Sequence, residues 1–175
     1  LTPNERRDFA RYLAPNANIV MDDEISALQR QIVGAERNPV VAARKIYDWV
    51  LNNVDYWVKD PKNKKASSVG SSTYCLENKC GNCSDFHSLW TALARLSGIP
   101  TRMVFGSYFK SSLDGVDKDQ SYHCWVEYYV NPYGWIPLDV SAADMFSSDI
   151  PLNDDNKSLV NLATPSGYSG AEPAK

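Results

Sequence analysis

At 175 residues the chain is long enough for one domain with its own hydrophobic core and short for two. Its 43% apolar and 22% charged residues exclude a wholly disordered chain, and a net charge of -3 leaves no cationic excess to neutralise a phosphate backbone, so nucleic acid is not an expected partner. The apolar runs are only a few residues long, far below the ~20 that a membrane-spanning helix requires.

The chain begins at Leu1 without an initiator methionine, which points to a leader or an upstream domain removed by processing. Arg6 to Leu13 reads as helical, and Asp22-Asp23-Glu24 suits the start of a second helix through Ile25, Leu28 and Ile32. Asn38-Pro39 supplies an N-cap and a first-turn proline, after which Ala42, Ala43, Ile46, Tyr47, Val50 and Leu51 recur at helical spacing. After Val54 to Val58, the lysine-bearing stretch Lys59 to Lys65 and the Ser- and Gly-rich residues behind it lack apolar periodicity and read as a solvated surface loop.

From Cys83 to Leu96 the pattern is helical again, with Phe86, Leu89, Trp90, Leu93 and Leu96 on one broad face and Gly98 placed to stop it. Three β-type runs follow, Arg102 to Phe109, Tyr122 to Val130 and Trp135 to Val140. The turn signal Asn131-Pro132-Tyr133-Gly134 predicts that the last two pair antiparallel. Helices followed by an antiparallel sheet give an α+β architecture, one domain over residues 1–146 with a polar tail over 147–175.

Cys83 opens the central helix, where free N–H groups and the helix dipole favour a thiolate and can stabilise an oxyanion. Taken alone it is as readily an inert buried thiol. A nucleophile needs a base on a rigid neighbour. His123 starts an aromatic strand, and Asp139 stands near the end of the strand that the turn folds back alongside, so a carboxylate can fix the imidazole tautomer. His87, one helical turn after Cys83, lacks a carboxylate placed by sequence to orient it and reads as a structural or substrate-side histidine. Asp85 reads as a capping residue of the first turn.

Cys75, Cys80 and Cys83 follow a C-x4-C-x2-C spacing that raises a metal site, but the second ligand pair is poor, because Cys124 and His123 are neighbours on a strand and point to opposite faces. No metal or other cofactor is expected. A Cys75–Cys80 disulfide and free thiols fit equally, and Cys124 reads as a packed core thiol.

The string Gly81-Asn82-Cys83-Ser84-Asp85-Phe86-His87, continuing to Gly98-Ile99-Pro100-Thr101-Arg102, resembles the nucleophile segment of the transglutaminase-like superfamily. Tyr122-His123-Cys124-Trp125-Val126-Glu127 resembles its histidine strand and Gly134-Trp135-Ile136-Pro137-Leu138-Asp139 its aspartate strand, a motif core over residues 80–141. The likeness is nearest to bacterial transglutaminase-like cysteine proteases, often exported. It implies a papain-like arrangement, a Cys83-His123-Asp139 triad and a thioester acyl-enzyme formed from a peptide, protein or glycopeptide amide. Release to water gives a peptidase or amidase, and release to an amine gives a crosslinking transglutaminase; a non-catalytic peptide- or glycan-binding domain on the same fold is the further alternative. The Cys83 backbone N–H is the expected oxyanion donor; Trp57 or Tyr56 could approach the site from upstream, but each reads more readily as an aromatic anchored in the core.

Overall fold

A computed structural model describes residues 1–107 and 122–149; the end of the first predicted strand and the tail beyond 149 lie outside the described residues. The N-terminal helical segment is two pieces, α1 (Pro3–Asp8) and α2 (Ala10–Leu13), interrupted at Phe9. The break lets Phe9 and Tyr12 both lie on the outer face of the sheet, Phe9 with its ring 4.4 Å from Tyr129 and Tyr12 4.9 Å from Trp135. Helix α3 (Asp23–Val33) starts on Asp22, whose carboxylate accepts from Ile25 N at 2.9 Å, and α4 (Pro39–Asn53) starts on Asn38 with proline in its first turn, as expected.

Two strands of two residues, β1 (Asp55–Tyr56) and β2 (Cys80–Gly81), pair in parallel, with Tyr56 opposite Gly81. A short 3₁₀ turn, Trp57–Lys59, follows β1. The stretch expected to be loop throughout contains α5 (Ser72–Asn78), capped by Ser71 and burying Ser72, Cys75 and Leu76. So short a helix, anchored by one thiol and one leucine, leaves too few apolar positions to show a period.

Helix α6 (Cys83–Leu96) is the centre of the molecule, nearly all of it buried. It packs on a three-stranded antiparallel sheet of order β3-β4-β5, formed by β3 (Thr101–Ser107), β4 (Tyr122–Val130) and β5 (Gly134–Leu138). Cys124, Val126, Tyr128 and Val130 alternate inward along β4, and Tyr128 meets Trp90 of α6 at 5.7 Å between ring centres. The third β run ends earlier than expected. Val140 opens α7 (Val140–Asp149), because Asp139 accepts from Ala142 N at 2.9 Å and so caps a helix that also runs past residue 146, where the polar tail was expected to begin. No helix among the described residues is long and apolar enough to cross a membrane.

Candidate active site

The start of α6 is held by a reciprocal cap. Asn82 Oδ1 accepts from Ser84 N and Asp85 N at 3.0 and 3.1 Å, and Asp85 Oδ2 accepts from Asn82 N at 3.0 Å. Fully buried Asp85 also accepts from Ser67 N at 3.0 Å and Ser71 N at 2.8 Å, tying the 67–71 segment to the nucleophile turn. Gly81 is required here, since a Cβ would lie 2.3 Å from the Asp85 Cβ. The cap uses the Ser84 and Asp85 N–H groups and leaves the Cys83 N–H facing Tyr56, whose hydroxyl also reaches the Cys83 thiol. Burial and the charge of Cys83 push the Tyr56 hydroxyl up to about 12, so it stays a donor. The β1–β2 bridge sets this neighbour: Tyr56, rather than Trp57 in the 3₁₀ turn, is the upstream aromatic at Cys83.

His123 lies on β4 opposite Gly106, and its Nε2 is 2.5 Å from Asp139 Oδ2. The other ring nitrogen is left for Cys83, with which His123 shares a hydrogen bond. The Trp125 ring stacks beside the imidazole at 6.3 Å and 28°, over Gly106, where a Cβ would meet it at 2.9 Å. Asp139 is fixed in turn by Ser141 Oγ and Ala142 N, each donating to Oδ1 at 2.9 Å. Despite burial, its hydrogen bond to His123 and the facing His87 hold the Asp139 carboxyl well below the usual carboxylate range.

The structure brings together Cys83, His123 and Asp139, and adds two groups that the sequence reading placed elsewhere. Cys124 is a buried thiol, as expected, yet it is also a neighbour of Cys83. Its Sγ lies 3.4 Å from Ser84 Oγ and 3.8 Å from His87 Nδ1. Strand alternation does not separate Cys124 from His123 at this end of β4, where both are buried and both hydrogen-bond to Cys83 at the start of α6. His87 is fully buried and presents no surface to a substrate; its Nε2 lies 3.4 Å from Asp139 Oδ1. Asp139 therefore faces two imidazoles, and the carboxylate thought lacking for His87 is the same one that orients His123.

Cys83 is drawn down to about 3 by the Cys124 S–H bond and, against the penalty of its burial, by the hydrogen bond and charge of His123. Burial pulls His123 down, but the Asp139 and Cys83 partners outweigh it and hold the ring up at about 9. Cys124, donating to Cys83 and buried, is pushed far up and stays a thiol. Both shifts favour a thiolate on Cys83 beside an imidazolium on His123. All four cysteines are free, and among the described residues no group of three or more His, Cys, Asp or Glu side chains could hold a metal.

The sequence model of the transglutaminase-like superfamily matches residues 26–140, from within α3 through Cys83, His123 and Asp139. The chain belongs to the transglutaminase-like superfamily. An uncharacterised protein of Haemophilus influenzae is 27% identical, over 75% of this chain and 40% of its own length. Among solved structures, a candidate cysteine protease of Cytophaga hutchinsonii is similar at TM-score 0.61 and 27% identity, covering 77% of this chain and 42% of that one. The periplasmic domain of TgpA from Pseudomonas aeruginosa shares the fold at TM-score 0.58 and 19% identity, covering 77% of this chain and 47% of that one. The chain thus spans less than half the length of these relatives.

Proposed function

We propose that this transglutaminase-like domain is a cysteine-dependent amide hydrolase acting through Cys83, His123 and Asp139. The observation that carries the reading is the buried Cys83–His123 pair, whose second imidazole nitrogen is held 2.5 Å from Asp139. The Cys83 thiolate attacks the amide carbonyl, and the oxyanion forms against the Cys83 N–H and the Tyr56 hydroxyl. The imidazolium of His123 gives its proton to the departing amine as the C–N bond breaks, leaving a thioester on Cys83. Neutral His123 then takes a proton from water, whose oxygen attacks the thioester, and the carboxylic acid leaves with Cys83 restored as thiolate. An amine in place of that water would give transamidation by the same steps. Export, expected from the resemblance, belongs to the same proposal and is tested by where the full-length protein fractionates.

The test is to incubate folded protein with a pool of peptide p-nitrophenyl esters and amides, quench in acid and weigh the protein. The wild type carries an acyl group on Cys83, while Cys83→Ala, with an unchanged circular dichroism spectrum, carries none. A folded Cys83→Ala protein that still cleaves the pool defeats the mechanism.

A further inference from the structure

A cleft of about 870 Å³ begins at the nucleophile turn, where Asn82 and Ser84 bracket Cys83 and Tyr122 precedes His123. It follows the outer side of β3 past Phe105 and Met103 to Arg95 and Arg11 at the far end. Strand β3 is an edge of the sheet, and among the described residues its main chain from Arg102 to Gly106 hydrogen-bonds to β4 alone. Such an edge is a template for an added strand. At its nucleophile end Phe105 and Tyr122, both more than half exposed, stack at 6.2 Å and 20°.

The charges of the cleft are one-sided. Among the described residues its walls carry Arg11, Arg95 and Arg102 and no carboxylate. Arg102 is satisfied, with Glu127 at 2.6 Å. Arg95 is not: only 9% exposed, it donates to the carbonyl oxygens of Ala14 and Thr101, both neutral, and among the described residues it has no carboxylate beside it and its Nε has no partner. Tying α2 to the start of β3 asks only for a neutral donor, so the buried charge is left without a structural reason. A buried cation without a counter-ion is costly and marks a place where an anion is to be received. Arg11, exposed on α2 beside it, donates to the Tyr12 hydroxyl at 2.5 Å and pairs with no carboxylate among the described residues.

We propose that the cleft binds an extended peptide paired along the outer edge of β3, with a carboxylate of that peptide received by Arg95 and Arg11. The proposal rests on the amide-cleavage reading and adds the substrate class to it. Arg95 stands twelve residues beyond Cys83 on α6, ~18 Å at 1.5 Å per residue. An extended chain advances ~3.3 Å per residue, which puts the carboxylate about five or six residues from the amide attacked. An Asp or Glu side chain and a free chain terminus supply the same chemistry.

The test uses full-length Cys83→Ser protein and fluorescein-labelled peptide pools, randomised in uncharged residues, with binding read by fluorescence anisotropy. One pool has a fixed Glu and an amidated end, the second has Gln in its place, and the third has no acidic residue and a free terminal carboxylate. One carboxylate pool is expected to bind about tenfold more tightly than the Gln pool, the scale of one charge-assisted contact, and which pool wins identifies the source. Arg11→Gln, at an exposed position that does not threaten folding, should bring the advantage below about threefold, and Arg95→Gln should do the same where its melting temperature is kept. Equal binding of all pools, or an advantage intact in Arg11→Gln and in a folded Arg95→Gln, overturns the proposal. Iodoacetamide labelling of the wild type reads the nucleophile separately: selective labelling of Cys83 without carboxylate preference refutes the cleft assignment alone. A preference without selective labelling upholds the cleft and refutes the amide-cleavage reading.

Discussion

Removing the imidazole should change the shape of the Cys83 titration more than its reactivity at any one pH. With the thiol near 3 and His123 near 9, the wild-type thiolate is fully formed throughout the neutral range. Its alkylation rate should therefore vary by less than about twofold between pH 5 and pH 8. In His123→Ala the positive charge is gone, and what remains is the Cys124 S–H, a weak donor, together with the start of α6. The thiol should then return to between about 7 and the ordinary 8.5, so the thiolate fraction rises about a hundredfold or more over the same interval. The rate at one pH is a poor readout, since a more basic thiolate is intrinsically more nucleophilic and offsets part of the loss. Initial rates of iodoacetamide labelling, with the modified residue located by peptide mass, give the whole profile. A flat profile in His123→Ala would refute the reasoning and assign the low Cys83 value to Cys124 instead.

Asp139→Asn should lower turnover by about 10²–10⁴, the range lost with a mispositioned general base, and destabilise the fold by about 3 kcal/mol because the buried His123 imidazolium loses its charged partner; steady-state kinetics and urea denaturation check both. Tyr56→Phe should lower turnover on an amide by about 10²-fold while leaving iodoacetamide labelling unchanged, since alkylation forms no oxyanion. The folded Cys83–His123 pair holds one proton from about pH 3 to about 9, whereas the unfolded pair holds two below ~6.5, one up to ~8.5 and none above. Its contribution to stability should therefore rise from pH 3 to about 6.5, stay level to about 8.5, and fall as His123 loses its proton through 9, a plateau that Cys83→Ala should lack in chemical denaturation at stepped pH. Gly81→Ala should cost about 1–3 kcal/mol and a large share of activity, because the new methyl displaces the Asp85 cap; the melting temperature measures the first and turnover the second.

Much of this site was legible in the residues. Helix α6 begins and ends where its cap and glycine predict, and the turn at Asn131 to Gly134 folds Asp139 back toward His123. What escaped was set by tertiary contact. That Cys124 reaches Cys83 beside His123, and that His87 meets the Asp139 carboxylate, depends on how the start of β4 meets the start of α6, which strand alternation does not encode. Tyr56 was one of two adjacent aromatics, and only the parallel β1–β2 bridge chooses between them. Helix α7 carries little sequence signal because its capping residue is Asp139, whose carboxylate serves Ala142 N and Ser141 Oγ as well as His123.

The first thirteen residues contain no buried side chain within their helices, yet their aromatic rings cover the back of the sheet against Tyr129 and Trp135. Arg11 stands on the same short segment and forms one bank of the cleft. A single strap thus insulates the rear of the sheet and shapes the approach to the nucleophile. Lifting it would expose an aromatic surface and dismantle the carboxylate seat in one motion, so slow hydrogen exchange at α1 and α2 should go hand in hand with an intact approach to Cys83.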